Sequence, residues 1–322
     1  MTRIGVTFDA GSEDERLHVT NSLEGLGEIV PMAADDSLPG ALQQHRPDIV
    51  FNLARGRGVY ARRFQVPAFL EFFSIPYSGS DALANASCVD RTRMKQVLAY
   101  HGIPSAGYTV ASTLPDLATF ARRSFPVAIR RARGISSCFA LMLAHDFDEL
   151  ESIASELFAA SSEPIVVEHF LPGDSFACAV LGNGADSAML PIVSVGADEF
   201  APASSRTDEC PARISHGLAE DIESIAVRTY RALHCRDLAR IDIRLDHVGV
   251  PNVCAVDPLP SFAPGEEGGL VHSAAHAAGI ENGELIQRCL LLAAERSDLS
   301  LPGMPSFAPV HRRTPPGGMR IR

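Results

Sequence analysis

Asp90-Arg91-Thr92-Arg93-Met94-Lys95-Gln96-Val97-Leu98 contains the only lysine among 322 residues; the other 27 of its 28 Lys and Arg side chains are arginine. An ammonium is a compact point charge on a flexible stem, whereas a guanidinium is a broad planar fork. Lysine kept at this one place therefore points to a narrow approach to an anion, such as a phosphate. A lone codon outside an arginine bias, giving a solvated surface lysine, is the plain alternative. The surroundings read as a helix over 88–101, with Asp90 near the N-cap and Gly102 as the stop.

Upstream of that helix, strands and helices alternate. Residues 3–8 form an apolar strand, 13–27 suit a helix ending at Gly27, 48–52 a second strand, and 66–73 a helix leading into Ile75-Pro76-Tyr77-Ser78-Gly79-Ser80. Such alternation predicts a parallel sheet covered by helices, with ligands at the carboxyl ends of its strands. Downstream, 125–131 and 136–143 read as strands around the Arg133-Gly134 turn, followed by a helix over 147–160. The apolar run Ile165-Val166-Val167 then passes through Glu168 into Phe170-Leu171-Pro172-Gly173. Strands near 175–182 and 188–195, a helix near 218–234, strands at 239–246 and 251–257, and a helix at 282–296 complete an α+β region. The Pro-, Gly- and Arg-rich tail from Leu301 has little to bury.

Composition narrows the function. Hydrophobic residues make up 46% and charged residues 21%, the net charge is −11 and the pI is near 5.4. That balance argues against a nucleic-acid footprint. No apolar run approaches the roughly 20 residues that span a bilayer, and the N-terminus reads as a strand rather than a signal peptide. Seven dispersed cysteines without a Cys-x-x-Cys pair suggest reduced thiols in a cytoplasmic protein. His272 and His276 have the i, i+4 spacing of two zinc ligands, with no evident third.

Several segments, in order, carry a resemblance. They are Phe51-Asn52-Leu53-Ala54, Gln65-Val66-Pro67-Ala68, Ile75 through Ser80, Asp90 through Lys95, Val166 through Gly173, Cys210-Pro211-Ala212, Arg240-Ile241-Asp242-Ile243-Arg244 and Pro264 through Leu270. Over about residues 1–296 the chain resembles the D-alanine–D-alanine ligase group of the ATP-grasp superfamily. The resemblance implies a fold of α/β and α+β parts in three domains: residues 1–86, a central domain 87–173 and a C-terminal domain 174–300, followed by the tail 301–322. ATP is then expected between the last two domains.

The resemblance also implies roles. Lys95 and Arg130 match positions that hold phosphates, although the family has lysine at the second. Ser136 and Ser137 match the loop that folds over them. Glu168, Phe170 and Leu171 match the adenine-binding segment, Asp242 and Asp257 the magnesium ligands, and Arg240 the arginine facing the acyl phosphate and tetrahedral intermediate. Arg55 and Tyr60 fall near the first substrate. The residues themselves leave blander readings open. Arg240 and Asp242 alternate on a strand and share a face, which is equally the spacing of a structural ion pair, and Glu168 also reads as a solvated end to a buried strand.

Departures from the family pattern fall on its working positions. Ile135 and Phe139 stand where the phosphate loop has glycine, Ser175 where a carboxylate meets ribose, and Ala255 where a glutamate bridges two metal ions. The ligand charge of Asp242, Ala255 and Asp257 is still −2. The expectation is an ATP- and Mg2+-dependent ligase joining the carboxylate of a small amino acid or peptide to an amine through an acyl phosphate. It would have an altered substrate and form a homodimer. The alternative is a catalytically impaired relative that serves as a binding or scaffold protein.

Overall fold

The computed structural model describes residues 2–56, 63–120, 125–134, 142–196, 207–263, 269–301, 303 and 307. Within them lie three sheets. The first is parallel, in the order β2-β1-β3, from Arg3–Phe8 (β1), Glu28–Ala33 (β2) and Ile49–Asn52 (β3). Its helices are Glu13–Ser22 (α1), Leu38–His45 (α2) and Gln65–Phe72 (α3); Ala82–Val89 (α4) follows and puts Cys88 into the core of the third sheet. α1 stops at Leu23 rather than Gly27, because the chain turns through Gly25 at φ +86°.

The expected helix over 88–101 is two helices. Asp90 is extended, at φ −89° and ψ 103°, and its carboxylate accepts the Thr92 and Arg93 amides at 3.0 and 3.1 Å. An N-cap of this kind ends α4 and starts Arg91–Tyr100 (α5) with a change of direction. That change turns Lys95 inward.

The second sheet is antiparallel, in the order β4-β7-β5-β6: Tyr108–Ala111 (β4), Val127–Arg131 (β5), Met142–Ala144 (β6) and Ile165–His169 (β7). Phe147–Ala160 (α6) covers one face, packing on Val127, Ile129, Ile165 and Val167. Alternation leaves Ala128, Arg130, Val166 and Glu168 on the other face, toward α5.

The third sheet runs β10-β8-β11-β12, with β9 also pairing β8: Ser175–Leu181 (β8), Ala188–Met189 (β9), Val193–Val195 (β10), Leu238–Leu245 (β11) and Pro251–Asp257 (β12). His216–Ala232 (α7) covers the face of Phe176, Cys178, Ile241 and Val256. The opposite face joins a core shared with the first sheet and with Gly269–Ala277 (α8) and Asn282–Glu295 (α9). Leu285, Ile286 and Leu290 of α9 belong to the same core as Ile4, Val19 and Phe51. No helix among the described residues is long and apolar enough to cross a membrane.

Candidate active site

Lys95 is 1% exposed. Its Nζ donates to the Ala106 carbonyl at 2.9 Å, lies 2.6 Å from Glu168 Oε1, and sits 5.3 Å from the centroid of the Tyr108 ring. Arg130 Nε stands 3.5 Å from the other Glu168 oxygen. One carboxylate thus organises an ammonium and a guanidinium on the inner face of the central sheet. Arg91, also buried, adds to the positive field there. Burial alone pushes the Glu168 carboxyl up; Lys95, Arg130 and Arg91 outweigh it and hold it below the usual carboxylate range. Such a cation cluster at low dielectric suits a polyanion.

Glu168 was expected to read an adenine amino edge. Its carboxylate pairs with Lys95 and Arg130. Leu171 is buried in the shared core, and Phe170 lies under Arg244, whose guanidinium carbon is 5.0 Å from the ring centroid. The connection then passes Gly173, whose N–H donates to the Leu245 carbonyl at 3.0 Å. A side chain there would meet Leu245 Cβ at 2.6 Å, so only glycine lets the two backbones approach this closely. Central and C-terminal sheets are thereby hinged at the end of β11.

On β11 and β12, Arg240 faces Asp257 and Asp242 faces Ala255, so all four side chains share one face. Across from them on β8 lie Ala179 and Ala177, a low floor of small residues. The register shifts just after Asp242, so that Cys254 is the extra residue of a β-bulge. Arg240 Nε donates to Asp242 Oδ1 at 2.9 Å and its Nη2 to Oδ2 at 3.4 Å. Asp257 is held by Arg63, just before α3, whose Nη1 donates to Oδ1 at 2.6 Å, and by its near neighbour Leu259, whose amide adds a bond at 3.1 Å. Burial raises the Asp257 carboxyl, but Arg63, Arg240, the Leu259 amide and Arg55 outweigh it and keep it below the ordinary aspartate value.

These residues were expected to hold magnesium, and the donor set does not fit that ion as arranged. Magnesium takes six hard oxygen ligands in a near-ideal octahedron. Here the two carboxylates carry −2, and Arg240 and Arg63 already balance it. Among the described residues, no three His, Cys, Asp or Glu side chains gather where one metal ion could be held.

Arg55 lies at the mouth of the first sheet, where it binds Glu15 through two bonds, Nη1 to Oε2 at 2.7 Å and Nη2 to Oε1 at 2.8 Å. Glu15 also accepts the Phe262 amide at 2.6 Å and the Ser261 hydroxyl at 3.0 Å. Burial pushes this carboxyl up, and Arg55 with those two donors brings it below the usual range. Glu15, Arg63 and Arg91 escaped sequence reasoning. Glu15 is one of three successive acids in the first turn of α1, with no signal to single it out, and Arg63 sits in a short run of arginines. Ser136, Ser137 and Tyr60, with Ile135 and Phe139, lie outside the described residues.

The family model described as "D-ala D-ala ligase C-terminus" matches residues 96–291. The chain is 28% identical over 299 residues to the D-alanine–D-alanine ligase of Bacillus anthracis, covering 88% of this chain and 94% of that one. It is 30% identical over 271 residues to D-alanine–D-alanine ligase A of Bacillus cereus, covering 80% and 85%. In fold it is similar to the crystal structure of the Bacillus anthracis ligase complexed with ATP. The TM-score is 0.76 at 24% identity, with 92% of this chain and 99% of that one covered.

Proposed function

Because this chain belongs to the D-alanine–D-alanine ligase family of ATP-grasp proteins, we propose that it is an ATP-dependent carboxylate–amine ligase acting on a small amino acid or peptide in the cytoplasm. The observation that carries this reading is the buried Lys95–Glu168–Arg130 cluster beside the hinge to the C-terminal sheet. A lysine this deeply enclosed is costly unless its charge is used. Incoming phosphates would take over Lys95 and Arg130, while the backbone of 169–171 receives the adenine and Phe170 and Leu171 shape its apolar wall. Ser136 and Ser137 complete the phosphate grip on this reading.

In the first half-reaction, a substrate carboxylate oxygen attacks the γ-phosphorus and the bond to the β,γ-bridging oxygen breaks, giving an acyl phosphate and ADP. In the second, an amine attacks the acyl carbon, loses a proton, and inorganic phosphate leaves. Arg240, above the alanine floor, faces the oxyanion that develops in between. Magnesium enters as part of the ATP complex that is the substrate, not as a resident ion on Asp242 and Asp257.

The substrate differs from that of the named relatives on this reading. Arg55, which the resemblance puts near the first substrate, is itself tied to Glu15 by two hydrogen bonds, so a substrate meets a guanidinium whose charge is already balanced. By the resemblance alone, Tyr60 is a further first-substrate residue. Exposed Phe72 and Leu83, at 81% and 75%, suit a homodimer formed through the first domain. Phosphate release from ATP, assayed across a panel of D- and L-amino acids and short peptides, tests the proposal. Stimulation by at least one substrate other than D-alanine supports it, and no stimulation by any contradicts it.

One observation favours a second reading, an impaired relative that binds ligand without turnover. Both carboxylates expected to hold metal are engaged by arginines. ADP binding without substrate-stimulated phosphate release identifies this case.

A further inference from the structure

The arginine at Asp257 reaches it from far away in sequence. Arg63 precedes α3 in the first domain, 194 residues from its partner, and is 7% exposed. Its Nη1 donates to both Asp257 Oδ1 and the Leu259 carbonyl, so one end of the guanidinium is fixed at the end of β12. Arg240 sits on the same sheet face and also acts electrostatically on Asp257. Together the two arginines bring two positive charges, as many as one magnesium ion. Opposite Asp242, where a third carboxylate could enlarge the ligand set, Ala255 offers no oxygen.

We propose that Arg63 is a built-in counter-cation: its guanidinium fills, at Asp257, the place the family gives to a resident metal ion, and nucleotide binds without one. A guanidinium stays charged at any working pH and donates hydrogen bonds, so it serves phosphate oxygens as it serves Asp257. To seat a metal on Asp257, Arg63 must be withdrawn from a buried pair and left without its carboxylate, which is strongly disfavoured. Exclusion of the metal stands on this pair alone. Metal-free nucleotide binding also rests on the ligase reading above.

Two titrations of the full chain test it. In the first, Mn2+ is titrated calorimetrically without nucleotide into wild type, Arg63→Met and Asp257→Asn. Wild type should show no site tighter than about 1 mM, and Arg63→Met should gain one at least about tenfold tighter. In the second, ADP is titrated in EDTA and in MgCl2. The wild-type Kd should change less than about threefold, whereas Arg63→Met should bind at least about tenfold more weakly in EDTA and recover with magnesium. A wild-type Mn2+ site tighter than about 100 μM that Asp257→Asn removes would overturn the proposal. So would loss of wild-type ADP binding in EDTA alone. No ADP binding in either buffer, with Mn2+ still excluded from wild type, sinks the nucleotide reading and leaves the exclusion standing. The wild-type arms decide the matter should circular dichroism show that Arg63→Met does not fold.

Discussion

Lys95 answers to three neighbours at once: a carbonyl, a carboxylate and an aromatic face. Removing its charge leaves Glu168 ionised in a buried site with a weakened counterion. Lys95→Met should therefore destabilise the fold by about 3–5 kcal/mol, measured by urea unfolding. Glu168→Gln in the Lys95→Met background should recover much of that loss, because the stranded charge is gone; additive losses in the double mutant would refute the coupling. This lysine was legible in the sequence because it has no second copy to compete with. Glu168 was legible as the polar end of an apolar strand, but its direction was not. Nothing local told that the carboxylate turns back to Lys95, since Ala106, Tyr108 and Arg130 approach through tertiary structure. Arg63 and Glu15 were invisible for the same reason: Asp257 lies 194 residues from Arg63, and Arg55 and Ser261 lie 40 and 246 residues from Glu15.

Two elements fix where the residues stand. Asp90 both ends α4 and caps α5, and its loss by Asp90→Ala should cost about 1 kcal/mol in thermal unfolding. The hinge at Gly173 is tighter: Gly173→Ala drives a methyl into Leu245 and should cost about 1–3 kcal/mol. An unchanged melting temperature in the alanine variant would show that the two backbones part freely. At this scale the sequence spoke clearly where periodicity was strong. The 147–160 helix and the strands at 175–182 and 251–257 match what formed, to within a residue. It was silent where small or ring residues blur the period. β2 contains Pro31 on an edge strand, α2 opens on Leu38-Pro39-Gly40, and α8 has Gly, Ser or Ala at five of its nine positions.

Across the whole molecule, buried polar ties join the segments around the first sheet to the C-terminal sheet. Asp237, 1% exposed, accepts the Gly79 amide at 2.7 Å, Asn183 Nδ2 at 2.9 Å and Arg296 at 3.0 Å. Glu15 and Asp257 make the other ties, and Glu168 ties the central sheet to α5. Glu15, Asp257 and Glu168 are all held below their ordinary values of 4.5, 3.8 and 4.5. The unfolded chain therefore binds more protons at acid pH, so the stability these groups contribute is complete above those values and is lost as pH falls through the lower folded ones. Urea unfolding should weaken steeply below about pH 4.5, and Asp257→Asn should flatten part of that slope. A slope unchanged in Asp257→Asn would remove Asp257 from the tie.

On the proposed function, a nucleotide seats between the central and C-terminal sheets on Lys95 and Arg130. A crystal structure with a non-hydrolysable ATP analogue tests it most directly. Phosphate oxygens are expected within hydrogen-bonding distance of Lys95 Nζ, and adenine against the backbone of 169–171. Nucleotide bound elsewhere, with Lys95 still paired only to Glu168, would contradict it.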